Sequence, residues 1–121
     1  MAADRVLTWY IPGFLSETGV VGSNVSTEYT LDQNYVPGRL HIRLKEKPSP
    51  DGEPCTIDIN DDGESIFPQT QKPILTTDEV TYISFAGGTL AKDSVITLDI
   101  DQVSPKVTGK DLTVELELNK A

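Results

Sequence analysis

Asp58, Asn60 and Asp62 stand at alternate positions ahead of Gly63, the opening spacing of a calcium-binding loop. Such a loop needs oxygen ligands at alternate residues and a glycine for the sharp turn. It also needs an apolar eighth residue and a bidentate glutamate at the twelfth position. Here those positions are Ser65 and Gln69. The flanks, Cys55-Thr56-Ile57 and Ile66-Phe67-Pro68, are β-type rather than helical. In a strand, Asp58 and Asn60 project about 6.5–7 Å apart along one face, too far to share an ion unless the backbone curls. The three residues are a weak calcium candidate, and a hairpin turn with an acidic tip suffices to explain them. No cofactor and no metal is expected.

The remaining chemistry is sparse. A nucleophile activated by a base needs a histidine or comparable group beside a Ser, Thr or Cys. The single histidine, His41, falls on the polar side of an alternating stretch. The single cysteine, Cys55, precedes an apolar strand and reads as a small half-buried residue. One of each does not make a zinc site. Asp99/Asp101 and Glu115/Glu117 are carboxylate pairs of the type glycosidases use. Each pair sits two apart on a strand, and solvation on an outer face accounts for it. No nucleophile elbow, phosphate loop or dinucleotide fingerprint is present. No catalytic residue is expected, and the chain is not expected to be an enzyme.

The elements that position these groups read as strands. Leu40, Ile42 and Leu44 alternate with Arg39, His41, Arg43 and Lys45. Ile57 and Ile59 alternate with Asp58 and Asn60. Ile96, Leu98 and Ile100 alternate with Thr97, Asp99 and Asp101. Leu112, Val114, Leu116 and Leu118 alternate with Thr113, Glu115 and Glu117. These apolar members, Leu118 apart, form the expected core. A first strand over Val6 to Ile11, apolar on both faces, ends at Pro12-Gly13. Phe14 to Thr27 reads as an irregular arm or long loop, and Val25 to Leu31 as a short strand. Val80, Tyr82 and Phe85 suggest another strand before Gly87-Gly88. Lys47 to Pro54, Pro68 to Glu79 and Ser104 to Asp111 read as connections. A capped helical turn is conceivable only near Thr76 to Glu79. Seven or eight short strands between Gly/Pro loops predict an all-β antiparallel sandwich of jelly-roll type. It forms one compact domain, with an N-terminal strand and arm over residues 1–36 and the sandwich module over 37–121.

Composition sets the limits. A chain of 121 residues suits one domain with a real core. Its 37% hydrophobic content fits a two-layer β fold, where half of each strand faces water. The formal net charge of −9 disfavours binding to a phosphate backbone, so no nucleic-acid partner is expected. One cysteine allows no internal disulfide. The N-terminus lacks a basic, then apolar, leader, and no stretch matches a membrane span, so neither a signal peptide nor a membrane partner is expected.

Four segments then recur in order. They are Pro50-Asp51-Gly52-Glu53-Pro54, Ile57 to Phe67 (IDINDDGESIF), Leu90 to Val103 (LAKDSVITLDIDQV) and Gly109 to Val114 (GKDLTV). The series resembles a β-sandwich module of tailed-bacteriophage and prophage virion proteins, which carries an I-D-I-N-x-N-G-x-S-I-F hairpin and a closing pair of strands, L-x-x-D-I-D-Q-V-G and G-x-D-L-T-V. The likeness covers roughly residues 37 to 118. It departs at Asp62, where the module often has Asn, and at Ser104-Pro105, where Gly-Ser is usual. Both departures fall in turns.

The resemblance implies a non-enzymatic virion structural protein, assembled in the host cytoplasm. The favoured role is a capsid decoration or cement protein on the outer head surface, bound to the major capsid protein as a homotrimer. The alternative is a tail-fibre or baseplate module, among tail proteins, that binds a host-surface glycan; Tyr35, Tyr82 and Phe85 are its candidate aromatics. For the favoured role, Trp9, Tyr10 and Phe14 are the expected partner-binding arm, with core filling by the first strand as the competing account. On the arm reading, deleting residues 1–24 harms assembly more than folding.

Overall fold

The computed structural model of the chain describes residues 3–15, 27–49, 54–68, 71–83, 85–103 and 108–121. Among them are nine strands: β1 (Arg5–Phe14), β2 (Glu28–Thr30), β3 (Tyr35–Glu46), β4 (Cys55–Asp61), β5 (Glu64–Ser65), β6 (Ile74–Leu75), β7 (Glu79–Tyr82), β8 (Val95–Gln102) and β9 (Lys110–Lys120). They form two antiparallel sheets, one in the order β1-β9-β3-β7 and the other β2-β8-β4-β5, with β6 also paired to β4. The architecture is all-β and sandwich-like.

The period-two pattern does the sorting. Leu40, Ile42 and Leu44 from β3 and Leu112, Val114, Leu116 and Leu118 from β9 turn to the inside. Ile57 and Ile59 from β4 and Ile96, Leu98 and Ile100 from β8 meet them from the other sheet in one core cluster. Burying each such branched side chain is worth about 1.5–3 kcal/mol.

Several expectations change at the edges of these elements. The first strand runs on through Phe14, with a bulge between Ile11 and Phe14 that Gly13 permits at φ +79°. Only one side of it is apolar and buried: Leu7, Trp9 and Ile11 pack inward while Val6 and Tyr10 are exposed. β1 pairs with β9 over its whole length, so residues 5–14 are a sheet strand rather than part of an arm. Residues 16–26, most of the expected arm, lie outside the described residues, as do Pro50 to Glu53 and Ser104 to Val107 of the connections. The short strand expected at Val25 to Leu31 is Glu28–Thr30. No helical turn forms at Thr76 to Glu79, because Glu79 already opens β7 and pairs with Arg43. The connection before it contains β6, whose Leu75 is buried.

Candidate functional site

The β4–β5 hairpin turns on two residues. Asp61 and Glu64 are paired across it, and Asp62 and Gly63 between them have φ of 50° and 86°. Two successive positive φ values define the primed turn that matches strand twist. Asp62 also ties the turn to β8: its amide donates to the Val95 carbonyl at 2.9 Å, and its Oδ1 accepts from the Val95 amide at 2.8 Å. Asn60, expected within the turn, belongs to the strand.

The three calcium-candidate residues are not brought to one point. Asp58 lies on the outer side of β4, yet it is 4% exposed. Its Oδ1 accepts from the Ser65 hydroxyl at 2.5 Å, and its Oδ2 pairs with the Lys72 ammonium at 3.0 Å. Asn60 donates through Nδ2 to Asp99 at 2.5 Å. Asp62 spends its carboxylate on Val95. Gathering these oxygens on one ion would require breaking the Lys72 pair and the turn contact. Gln69, the twelfth position of the loop pattern, lies outside the described residues.

A strip of charge results instead. Asp58 and Asp99 are direct cross-strand partners, and Asp101 lies two residues further along β8. Like charges face to face on a sheet are unfavourable. Lys72 relieves them by reaching Asp58 at 3.0 Å and Asp101 at 3.1 Å. Hydrogen bonds to Asp58 and then Asp101 raise the Lys72 pKa. Asp99 has no ion pair among the described residues, and Lys72 acts on it only weakly through its charge. Burial, followed by the charges of Asp101 and Asp58, outweighs its hydrogen bond from Asn60 and raises its pKa above the ordinary carboxylate value. Lys72 and Ser65 carry no signal in the sequence, since Lys72 sits in a polar connection and meets Asp58 only through the fold.

The other carboxylate pair is on the opposite sheet. Glu117 receives His41 Nε2 at 2.5 Å and Arg39 at 3.3 Å, and these partners lower its pKa, His41 first. His41 and Glu115 are cross-strand partners. Cys55 is fully buried, and burial pushes its thiol up to about 12, far from the thiolate a nucleophile needs.

The aromatics divide. Trp9 is 2% exposed and belongs to the core, which corrects its expected place on a partner-binding arm. Its indole N–H donates to the Thr27 carbonyl at 3.0 Å and its ring meets Tyr29 edge to face at 5.3 Å. Tyr10 and Phe14 are 59% and 60% exposed, and Val6 on the same strand is 46% exposed. Val6 was not singled out in the sequence; its even-numbered register with Tyr10 is the signal that marks it. Lys110 lies 5.5 Å over the Phe14 ring. Of the glycan candidates, Tyr35 is buried, whereas Tyr82 and Phe85 pack around Phe67 with ring centroids 5.4–6.3 Å apart. No helix among the described residues is long and apolar enough to cross a membrane. Neither the protein-family models nor the curated proteins contain a match to this chain.

Proposed function

We propose that this chain is a non-enzymatic structural protein of a tailed-phage or prophage virion, which decorates the outer capsid surface by docking the exposed side of β1. The observation that carries the docking is the exposure of Val6 and Tyr10 on the outer side of β1 and of Phe14 beyond its bulge. Three large apolar residues stand in water along an outer strand whose inner residues are fully used by the core. Exposed apolar groups gathered in one place mark protein contact surfaces, and aromatics are the residues that anchor them. The phage assignment rests on the resemblance of residues 37 to 118 to the virion module.

The strand order supports the same reading. Strands β1 to β4 and β7 to β9 alternate between the sheets, while β5 and β6 stay in the sheet of β4 and lie against its opposite ends like one interrupted strand. Counted as eight strands, the orders become 1-8-3-6 and 2-7-4-5, which is compatible with the two Greek keys of a jelly roll, a fold common in capsid and lectin domains. That argument is fold analogy, and the site carries the function. Homotrimer formation belongs to the proposal as well: symmetric association covers the edge of β1 and of the short β7.

Binding to particles stripped of the protein tests the reading. Full-length chain is expected to sediment with the particles, and the double variant Tyr10→Ser, Phe14→Ser to stay in the supernatant with an unchanged melting temperature. Equal binding by the double variant removes β1 as the docking face.

A further inference from the structure

The alternation of β4 sets up an anomaly at its end. Ile57 and Ile59 face the core, fully buried, and Asp61 occupies the next position on that same side. It stands at the open end of the sandwich, in a cleft of about 220 Å³ walled by Pro37 from the other sheet, Ile66 and Leu90. The Asp61 Oδ1 atom is buried and has no hydrogen-bond partner among the described residues. Glu64, its cross-strand partner, brings a second carboxylate to the same cleft. Neither acid has an ion pair among the described residues: Arg5 pairs with Asp32, Arg39 with Glu117, Arg43 with Glu79, and Lys72 with Asp58 and Asp101.

A buried carboxylate oxygen without a donor is costly, and native structures supply one. We infer that the cleft takes a cationic side chain from a neighbouring protein, an ammonium or guanidinium on an alkyl stem. The carboxylates of Asp61 and Glu64 receive the charged head in charge-assisted hydrogen bonds. Pro37, Ile66 and Leu90 lie along the methylenes, as apolar surface does beside lysine and arginine stems. The net charge of −9 favours a basic partner. Pro37 pairs with Leu118, and Leu118 with Arg5, so the cleft is at the end of the sandwich where β1 begins and where Val6 is exposed. The inference deepens the docking reading by naming what the partner brings, but the cleft binds a free alkyl cation whether or not the protein docks on a capsid.

Titration of the ¹⁵N-labelled full chain with n-butylguanidinium and n-butylammonium chloride tests it. Saturable shifts are expected at the amides of Ser65, Gly87 and Leu90, weakening as salt is raised. Asp61→Asn is expected to weaken binding about tenfold or more, a difference of about 1.4 kcal/mol. Glu64→Gln weakens it less, and the distant Glu46→Gln leaves it unchanged. Should Asp61→Asn lose its folded spectrum, Glu64→Gln and the salt dependence decide. No saturable shift, binding that ignores both substitutions and salt, or equal binding of neutral 1-butanol overturns the inference. So does tighter occupation of the same amides by Ca²⁺, which makes the cleft a metal site. A positive titration alongside failed particle binding keeps the cleft and discards the virion reading.

Discussion

Lys72 holds an acidic strip that would otherwise repel itself. Its ammonium is the cation that Asp58 and Asp101 share, and Asp58 is 4% exposed. Removing one partner of such a pair leaves a charge stranded, which costs 3–5 kcal/mol at fully buried sites. Lys72 is itself partly solvated, so the expected cost of Lys72→Met is lower, about 1–3 kcal/mol. Urea unfolding at pH 7 measures it, and a cost near zero means that solvent already screens Asp58. Asp99 behaves in the opposite sense. Burial and its acidic neighbours raise its pKa in the folded state above the reference value of 3.8, so the folded protein holds that proton more tightly than the unfolded chain. Stability therefore falls as pH rises from 3.8 through the folded value, and the penalty is complete above it. Asp99→Asn removes that penalty while keeping an acceptor for Asn60. The variant is expected to be more stable than the parent at pH 7, with the advantage fading to nothing below pH 3.8. Thermal unfolding across that range checks the sign; an advantage that grows on acidification contradicts the assignment.

At the scale of the element, β1 does two things with its two sides. Trp9 fills the core, and Trp9→Ala is expected to destabilise by about 3–5 kcal/mol. Tyr10→Ser and Phe14→Ser touch exposed positions and are expected to stay within about 0.5 kcal/mol of the parent. Chemical denaturation of the three variants separates the sides, and a large loss from Tyr10→Ser would place that ring in the core. Deleting residues 1–24 removes Leu7, Trp9 and Ile11 together with one of the two strands paired to β9, so loss of folding is expected rather than selective loss of assembly. The strands β3, β4, β8 and β9 were legible because their apolar residues recur strictly at every second position, and a slip of one would expose the whole set. β1 was half legible: Val6, Tyr10 and Phe14 are as apolar as Leu7, Trp9 and Ile11, so period alone cannot say which side is wet. The three-residue β2 was legible as a short strand but not in its bounds, and the two-residue β6 is too short to carry a pattern. The Asp58–Lys72 pair and the Asp61 cleft depend on contacts between distant segments, to which local sequence is blind.

For the whole molecule, the two sheets enclose a core, and the large apolar residues left exposed are Val6, Tyr10 and Phe14 on β1 together with Ile74 and Ile83. A two-sheet body with exposed apolar residues on β1 and a net charge of −9 suits attachment to a larger assembly. That role, decoration of a virion head, is the central claim, and the copy number per particle tests it most directly. On the virion proposal, particles purified from the encoding phage or prophage would be resolved on a gel, with the band quantified against the major capsid protein. The account predicts copies on the order of hundreds per particle, retained through gradient purification. A handful of copies would move the protein to the tail, and its absence from the particles would contradict the account.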